Sequence, residues 1–147
     1  MSLVQQIISL LTLAILVVVA MVWMLGTPSS PDTVPLGVVG ATPAQFQEYI
    51  QHDTSRVLLD IRTSEEFSAG HLAGAENIDY YQSTFAQQLD QLDRDTPIAI
   101  YCRSGSRSGH TLEIMEAMGF TNVVELQGGV LAWQEDFNET ICPGRVC

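Results

Sequence analysis

The sequence predicts an α/β domain with a central parallel sheet flanked by helices, preceded by an apolar N-terminal segment. Short apolar runs of strand length alternate with stretches of helical periodicity across residues 42–137. Several of these runs are continuously apolar, which is typical of strands buried on both faces of a parallel sheet. The apolar segment near the N-terminus is longer than any of these runs and carries no charge.

Start and stop signals indicate the helices. Thr42 followed by Pro43 is typical of a helix start, because proline fits the first helical position. Thr63 or Ser64 caps the next helix, with acidic residues in its first turn. Gly119 ends the fourth helix. The predicted helices are Thr42–His52, Thr63–His71, Ser83–Leu92, Ser106–Phe120 and Gly128–Phe137.

Four strands are predicted from the residues themselves. They are Arg56–Arg62, Gly74–Asp79, Thr96–Cys102 and Thr121–Leu126, of which the second is weak. Sites in parallel sheets lie at the carboxyl ends of the strands. Asp60, Arg62 and Cys102 all fall at that edge.

Composition divides the chain into four parts. We predict a membrane anchor or signal peptide over residues 1–26, a linker over 27–37, the folded domain over 38–137 and a tail over 138–147. The linker is rich in proline, serine and glycine, which is typical of a flexible connection.

The N-terminal segment is predicted to contact a membrane through residues 3–25. Nineteen residues, Ile7–Leu25, carry no charge, and as a helix they would span roughly 28 Å, close to the thickness of a hydrocarbon core. An uncleaved single-pass anchor is therefore favoured over a signal peptide cleaved after Ala20. The terminal amine and Asp32 favour a domain outside the cytoplasm, in a periplasmic space. The alternatives are a cleaved and secreted domain, or one that faces the cytoplasm.

The charge of the chain excludes a class of partner. Seventeen acidic residues against six arginines and no lysine give a net charge of −11. Such a surface repels nucleic acid, so no nucleic-acid partner is expected. The six arginines are scarce, and Arg103 and Arg107 lie within five residues of Cys102.

Cys102 is the candidate nucleophile. It lies between a predicted strand and a predicted helix start, where loop amides, the helix terminus and the two arginines all favour a thiolate. Gly105 and Gly109 permit a close backbone approach and positive φ. The alternative is a buried structural cysteine with no catalytic role.

The remaining cysteines and the histidines point to no cofactor or metal. Cys142 and Cys147 would be free thiols in a reducing compartment and could form a small disulfide loop in an oxidising one. A thiol redox role for this pair is a weak third hypothesis. The histidines have no metal-ligand spacing to the cysteines.

Three segments carry a family resemblance. They read LLDIRTSEEFSAGHLAGAENID, which includes Asp60 and Arg62, then YCRSGSRSG and LQGGVLAW. In this order they resemble the two signatures and the closing motif of single-domain rhodaneses, the thiosulfate sulfurtransferase family, across residues 38–137. The resemblance implies a rhodanese-like fold with a five-stranded parallel sheet and no cofactor.

The resemblance also implies a mechanism and its residues. Cys102 would take a sulfane sulfur from a small anionic donor such as thiosulfate, become a persulfide, and pass the sulfur to cyanide, a thiol or a protein acceptor. Asp60 and Arg62 would brace the loop. The loop residues that would hold the donor and the persulfide are Arg103, Ser104, Gly105, Ser106, Arg107 and Ser108.

Two alternatives stay open beside the enzyme. The related cell-cycle phosphatases use Cys-x5-Arg, whereas Arg107 follows Cys102 at Cys-x4-Arg, which favours sulfur over a phosphoryl group. The other alternative is a rhodanese-like binding module, which carries or senses sulfur for a protein partner without turnover.

Overall fold

A computed structural model describes residues 37–52 and 55–137, together with single helical positions at Gln5 and Ile15. Strands, helices and contacts are given for these residues alone. No helix among them is both long and apolar enough to cross a membrane.

Contacts divide the chain into two compact units, Met1–Pro31 and Asp32–Cys147. The predicted membrane segment lies outside the described residues apart from Gln5 and Ile15, and the structure lends it no support. The proposed pairing of Cys142 with Cys147 also lies outside them. The linker up to residue 36 and the tail therefore stay predictions.

The domain is built on one sheet of five parallel strands. The strands are β1 (Val38–Ala41), β2 (Val57–Asp60), β3 (Glu76–Asn77), β4 (Ile98–Tyr101) and β5 (Val123–Leu126). They lie in the order β1-β5-β4-β2-β3. The predicted α/β fold with a five-stranded parallel sheet is thus confirmed, whereas the predicted transmembrane helix is not. β1 was not among the strands predicted from the residues, because it is short, contains glycine and follows the linker directly.

Five helices flank the sheet and begin or end within a few residues of their predicted bounds. They are α1 (Pro43–His52), α2 (Ser64–Ala69), α3 (Phe85–Asp90), α4 (Ser106–Ala117) and α5 (Gly129–Phe137). Thr63 caps α2 in a capping box: its hydroxyl accepts from the Glu66 amide, and the Glu66 carboxylate accepts from the Thr63 amide.

Alternate strand residues feed two hydrophobic clusters, one on each face of the sheet, because successive side chains of a strand point to opposite faces. The first cluster joins Leu59 and Ile100 to Phe85 of α3 and Met115 of α4. The second cluster includes Phe46, Leu58, Tyr101, Val124 and Trp133, so it packs α1 and α5 on the other face. Cys102 belongs to the first cluster, on the α4 side.

A buried polar network joins β2 to the end of β4 and to the turn at residues 70–72. Arg62 donates to both carboxylate oxygens of Asp60, at 2.6–3.0 Å, and to the Gly70 carbonyl at 2.5 Å. The Tyr101 hydroxyl accepts from the Leu72 amide at 3.0 Å and hydrogen-bonds with Asp60. Because every member is buried, each needs its partner.

We expect Tyr101→Phe to lower the free energy of unfolding by about 1–3 kcal/mol, because the Leu72 amide loses its acceptor inside the protein. Denaturant unfolding measures this loss. Tyr81→Phe is the matched control, since Tyr81 is 70 % exposed and its hydroxyl stays in contact with water; a change below about 0.5 kcal/mol is expected there. Equal effects of the two variants would contradict the role of the Tyr101 hydroxyl.

Candidate active site

Cys102 follows β4 directly and lies under the loop that leads into α4. Its side chain is 0 % exposed. The sulfur accepts a hydrogen bond from the Gly105 amide at 3.2 Å and one from the Ser108 hydroxyl at 3.3 Å. The sulfur thus lies at the floor of a short loop that wraps around it.

Two opposing effects set the pKa of the Cys102 thiol. Burial raises it, because a buried thiolate loses hydration. Hydrogen bonds from the Ser108 hydroxyl and from the amides of Ser108, Ser104 and Gly105 lower it, and together they outweigh burial, so the pKa lies below its ordinary value. The structure therefore supports the thiolate expected from the sequence.

Arg103 and Arg107 stabilise the Cys102 thiolate less than the sequence predicted. Arg103 is exposed. Arg107 interacts electrostatically with Cys102, but its guanidinium is engaged elsewhere, donating to the two carboxylate oxygens of Glu66 at 2.9 and 3.1 Å. Hydrogen bonds are therefore the principal stabilisers of the anionic sulfur.

Glu66 is a residue whose role the sequence did not reveal. It was interpreted as a helix-start acid, and it does complete the α2 capping box. It also holds Arg107, 41 residues away along the chain, while the Tyr81 ring lies 5.6 Å from the Arg107 guanidinium. No local pattern could reveal this pairing, because it depends on how α2 and α4 meet at the sheet edge.

Gly105 adopts the positive φ that a glycine permits, and Gly109 does not. Gly105 has φ +88°, and a Cβ there would lie 2.9 Å from the Gly128 amide nitrogen. Gly109 lies within α4, is absent from the positive-φ residues, and a Cβ there would meet no atom within 4 Å. The loop therefore requires glycine at position 105 but not at position 109, because α4 begins at Ser106 and includes Gly109.

The start of α5 holds the loop from behind. The Val130 amide donates to the Cys102 carbonyl at 2.9 Å, and the Leu131 amide donates to the Arg103 carbonyl at 3.1 Å. Gly129 has φ +60°, and a Cβ there would lie only 2.5 Å from the Cys102 carbonyl oxygen. The sequence indicated only a turn at this glycine pair, but the turn brings the backbone of α5 against the loop.

Asp60 and Arg62 contact Tyr101, the residue before Cys102, and not the loop that they were expected to brace. The hydrogen bonds described for Arg62 join it to Asp60 and to Gly70, and not to residues 103–108. Its guanidinium lies 5.8 Å from the centre of the Tyr101 ring. The pair thus fixes Tyr101, the residue before Cys102, rather than the loop itself.

The other two predicted loop residues differ in their relation to the sulfur. Ser104 contributes its amide, and Ser106 is the exposed first residue of α4. Within the described ranges, no cluster of three histidine, cysteine or acidic side chains could hold a metal ion.

A buried carboxyl lies behind Ser108. The Ser108 hydroxyl donates to Glu125 Oε1 at 2.6 Å, and Glu125, on β5, is 4 % exposed. Burial raises the pKa of this carboxyl, although the hydrogen bond from Ser108 opposes the shift. No signal in the sequence pointed to Glu125, because a single acid inside an apolar strand is no motif.

Comparison with known proteins places this geometry in a family. Residues 42–136 match the model of the rhodanese-like domain. Thiosulfate sulfurtransferase GlpE of Pseudomonas fluorescens is 30 % identical over 89 residues, which cover 60 % of this chain and 80 % of that protein. A sulfurtransferase of Allochromatium vinosum is 34 % identical over 82 residues, which cover 55 % and 75 %.

Some relatives are much longer than the matched region. The chain spans 24 % of MoeZ of Mycobacterium tuberculosis and 59 % of YqhL of Bacillus subtilis. Among solved structures, the rhodanese-related protein of Thermoplasma volcanium superposes with a TM-score of 0.61 at 27 % identity, covering 71 % of this chain and 98 % of that one.

We expect Gly129→Ala to destabilise the domain, because it combines a left-handed backbone with a contact against the Cys102 carbonyl. The backbone strain alone costs about 1–3 kcal/mol. Gly109→Ala is the matched control, expected to stabilise α4 by about 0.5–1 kcal/mol. Denaturant unfolding measures both, and the alkylation rate of Cys102 should change only in Gly129→Ala. Two variants of similar stability would contradict the role of Gly129.

Glu66→Gln should weaken the attachment of Arg107 while it preserves the cap, because glutamine also completes a capping box. Hydrogen bonds from Arg107 lower the pKa of Glu66 below 4.5, and burial opposes them. This stabilisation is therefore complete above pH 4.5 and lost as the pH falls through the lowered pKa. Since the pair is partly exposed, we expect a loss of about 0.2–1 kcal/mol at neutral pH.

Unfolding of wild type and Glu66→Gln at several pH values measures this difference, which should vanish in acid. Glu65→Gln is the control, because Glu65 lies beside Glu66 in the first turn of α2 but is exposed. A difference for Glu66→Gln that is independent of pH would mean that the ion pair is not its source.

Proposed function

Because the chain belongs to the rhodanese-like domain family, we propose that it is a sulfurtransferase that carries sulfane sulfur on Cys102. The observation that carries the proposal is the set of hydrogen bonds directed at the Cys102 sulfur from Gly105, Ser108 and the Ser104 amide. These bonds favour an anionic sulfur in a water-poor site, which is what a sulfur nucleophile needs.

In the first step, the Cys102 thiolate attacks the outer sulfur of a small anionic donor such as thiosulfate. A new sulfur–sulfur bond forms to Cys102 as the donor's own sulfur–sulfur bond breaks, and sulfite leaves with the electron pair of that bond. The product is an anionic persulfide, so the negative charge stays within the loop and no proton is consumed. The donors that held the thiolate then hold the persulfide.

In the second step, a nucleophilic acceptor such as cyanide or a thiolate attacks the outer sulfur. The bond to Cys102 breaks, and Cys102 leaves as the thiolate with which the cycle began. The two half-reactions share one covalent intermediate, so the kinetics should be ping-pong. Arg103 and Arg107 flank residues 104–106 of the loop in the sequence and would attract the anionic donor to a domain that is otherwise strongly acidic.

The full burial of Cys102 favours small donors and also supports a second candidate function. A sulfur so enclosed suits a carrier that is loaded and then delivers sulfur to one protein partner, without rapid turnover on free acceptors. The two functions share the persulfide and differ in whether a small acceptor releases it.

The test begins with incubation of the full chain with thiosulfate, followed by intact mass measurement. Wild type should gain one sulfur atom, mapped by fragmentation to Cys102, and Cys102→Ala should gain none. Cys142 and Cys147 remain in both proteins and serve as internal controls for unspecific modification. An unmodified wild type would refute both candidate functions.

Cyanide then separates the two candidates. An enzyme should release thiocyanate over many turnovers, with parallel lines in double-reciprocal plots that indicate ping-pong kinetics. A carrier should release at most one equivalent per chain. Membrane attachment through residues 3–25 and a disulfide between Cys142 and Cys147 are further parts of the proposal, supported by sequence alone, and neither is needed for chemistry at Cys102.

A further inference from the structure

Glu125 is a buried acid that the proposed reaction does not use. It is the third residue of β5, with Gly40 of β1 and Ile100 of β4 as its neighbours in the sheet. Ser108 of α4 lies against it on the face that holds Cys102. A carboxyl inside a hydrophobic layer costs stability unless it is hydrogen-bonded, and the Ser108 hydroxyl supplies such a bond.

Ser108 connects Glu125 to the reactive sulfur. Its hydroxyl is 0 % exposed and has one proton to donate. Three acceptors lie within its reach: Glu125 Oε1 at 2.6 Å, the Gly105 carbonyl at 3.3 Å and Cys102 Sγ at 3.3 Å. One proton cannot serve three acceptors, so Glu125 and Cys102 compete for it.

We propose that Glu125 is a positioning residue that decides whether the sulfur of Cys102 receives the hydrogen bond of the Ser108 hydroxyl, in addition to that of the Gly105 amide. When Glu125 is ionised, its carboxylate accepts the hydrogen bond of the Ser108 hydroxyl and places a second negative charge near the sulfur. When Glu125 is protonated, its O–H donates to Ser108 Oγ, and the Ser108 hydroxyl turns to the sulfur. The inference rests on the proposed function only for its relevance to sulfur transfer.

The carboxyl and the sulfur then share one negative charge. Formation of the thiolate, or of the persulfide anion, favours a protonated Glu125, and ionisation of Glu125 favours the neutral thiol. No proton is gained or lost over the proposed cycle, because one anionic sulfur species replaces another. Glu125 therefore sets the pH range in which Cys102 is a nucleophile.

The other titratable groups around this pair are occupied or exposed. On α4, Arg107 is bound to Glu66, His110 contacts the Tyr80 hydroxyl at 2.8 Å, and Glu113 and Glu116 are exposed. Arg103 in the loop is exposed as well, and the sheet neighbours Gly40 and Ile100 carry no charge. The raised pKa of Glu125 arises from burial, with only Ser108 opposing it, so this carboxyl accepts a proton more readily than an exposed one does.

The first experiment measures the alkylation rate of Cys102 by iodoacetamide against pH, in the full chain. Glu125→Gln keeps the shape, removes the negative charge and can donate an amide N–H to Ser108, so the midpoint of the profile should shift to lower pH by about one unit, as when a like charge is removed beside a thiol. Glu113→Gln, which removes an exposed acid from α4, is the control and should leave the midpoint unchanged. An unchanged midpoint in Glu125→Gln would overturn the proposal.

The second experiment tests the path through Ser108. In a Ser108→Ala background, the shift caused by Glu125→Gln should fall to less than half, because the hydroxyl that transmits it is gone. A shift of full size in that background would overturn the relay and leave only a direct charge effect.

A third measurement uses the wild-type protein and needs no variant to fold. The carboxyl carbon of Glu125, followed by NMR through a pH titration, should titrate at lower pH after Cys102 is alkylated, because linkage between two sites is reciprocal. An unchanged titration would overturn the proposal. None of these measurements involves sulfur transfer. The proposed function can therefore fail while this inference holds, and this inference can fail while the proposed function holds.

Discussion

Burial of the Cys102 sulfur disfavours its charged form, and the hydrogen bonds that reach it must offset that cost. The rest of the site follows from this balance. Strand β4 brings the sulfur into the hydrophobic layer, and the left-handed turn at Gly105 folds the following amides back over it. α4 begins at once, so Ser108 reaches the sulfur from its first turn. A site exposed to water would have no need for so many donors around one atom.

The loop is held from two directions that the chain reaches far apart in sequence. The first amides of α5 fix the carbonyls of Cys102 and Arg103, and Glu66 at the start of α2 fixes the guanidinium of Arg107. These contacts restrict the conformations of the loop before a sulfur donor binds. Binding then costs less ordering, which is the benefit of a preorganised site.

Local signals in the sequence predicted most of the fold but only part of the site. Helix caps, apolar runs and the Cys102 loop are each encoded within a few neighbouring residues. Partners across the sheet edge are not, because their choice depends on register: Glu66 pairs with Arg107 across 41 residues, and Ser108 meets Glu125 across 17. Strand β1 was missed for a similar reason, since its pairing with β5 defines it more than its own composition.

The two tasks of Glu66 bear on how the loop could be moved to another protein. One carboxylate completes the cap of α2 and anchors Arg107, so the helix start and the loop cannot be altered independently. A graft of residues 102–108 alone would carry the nucleophile but leave behind both its anchor and the glycine turn beneath it. The smallest transplantable unit therefore comprises three separate stretches of chain: the start of α2, the loop and the start of α5. A designer who copies only the loop should obtain a cysteine with ordinary thiol reactivity.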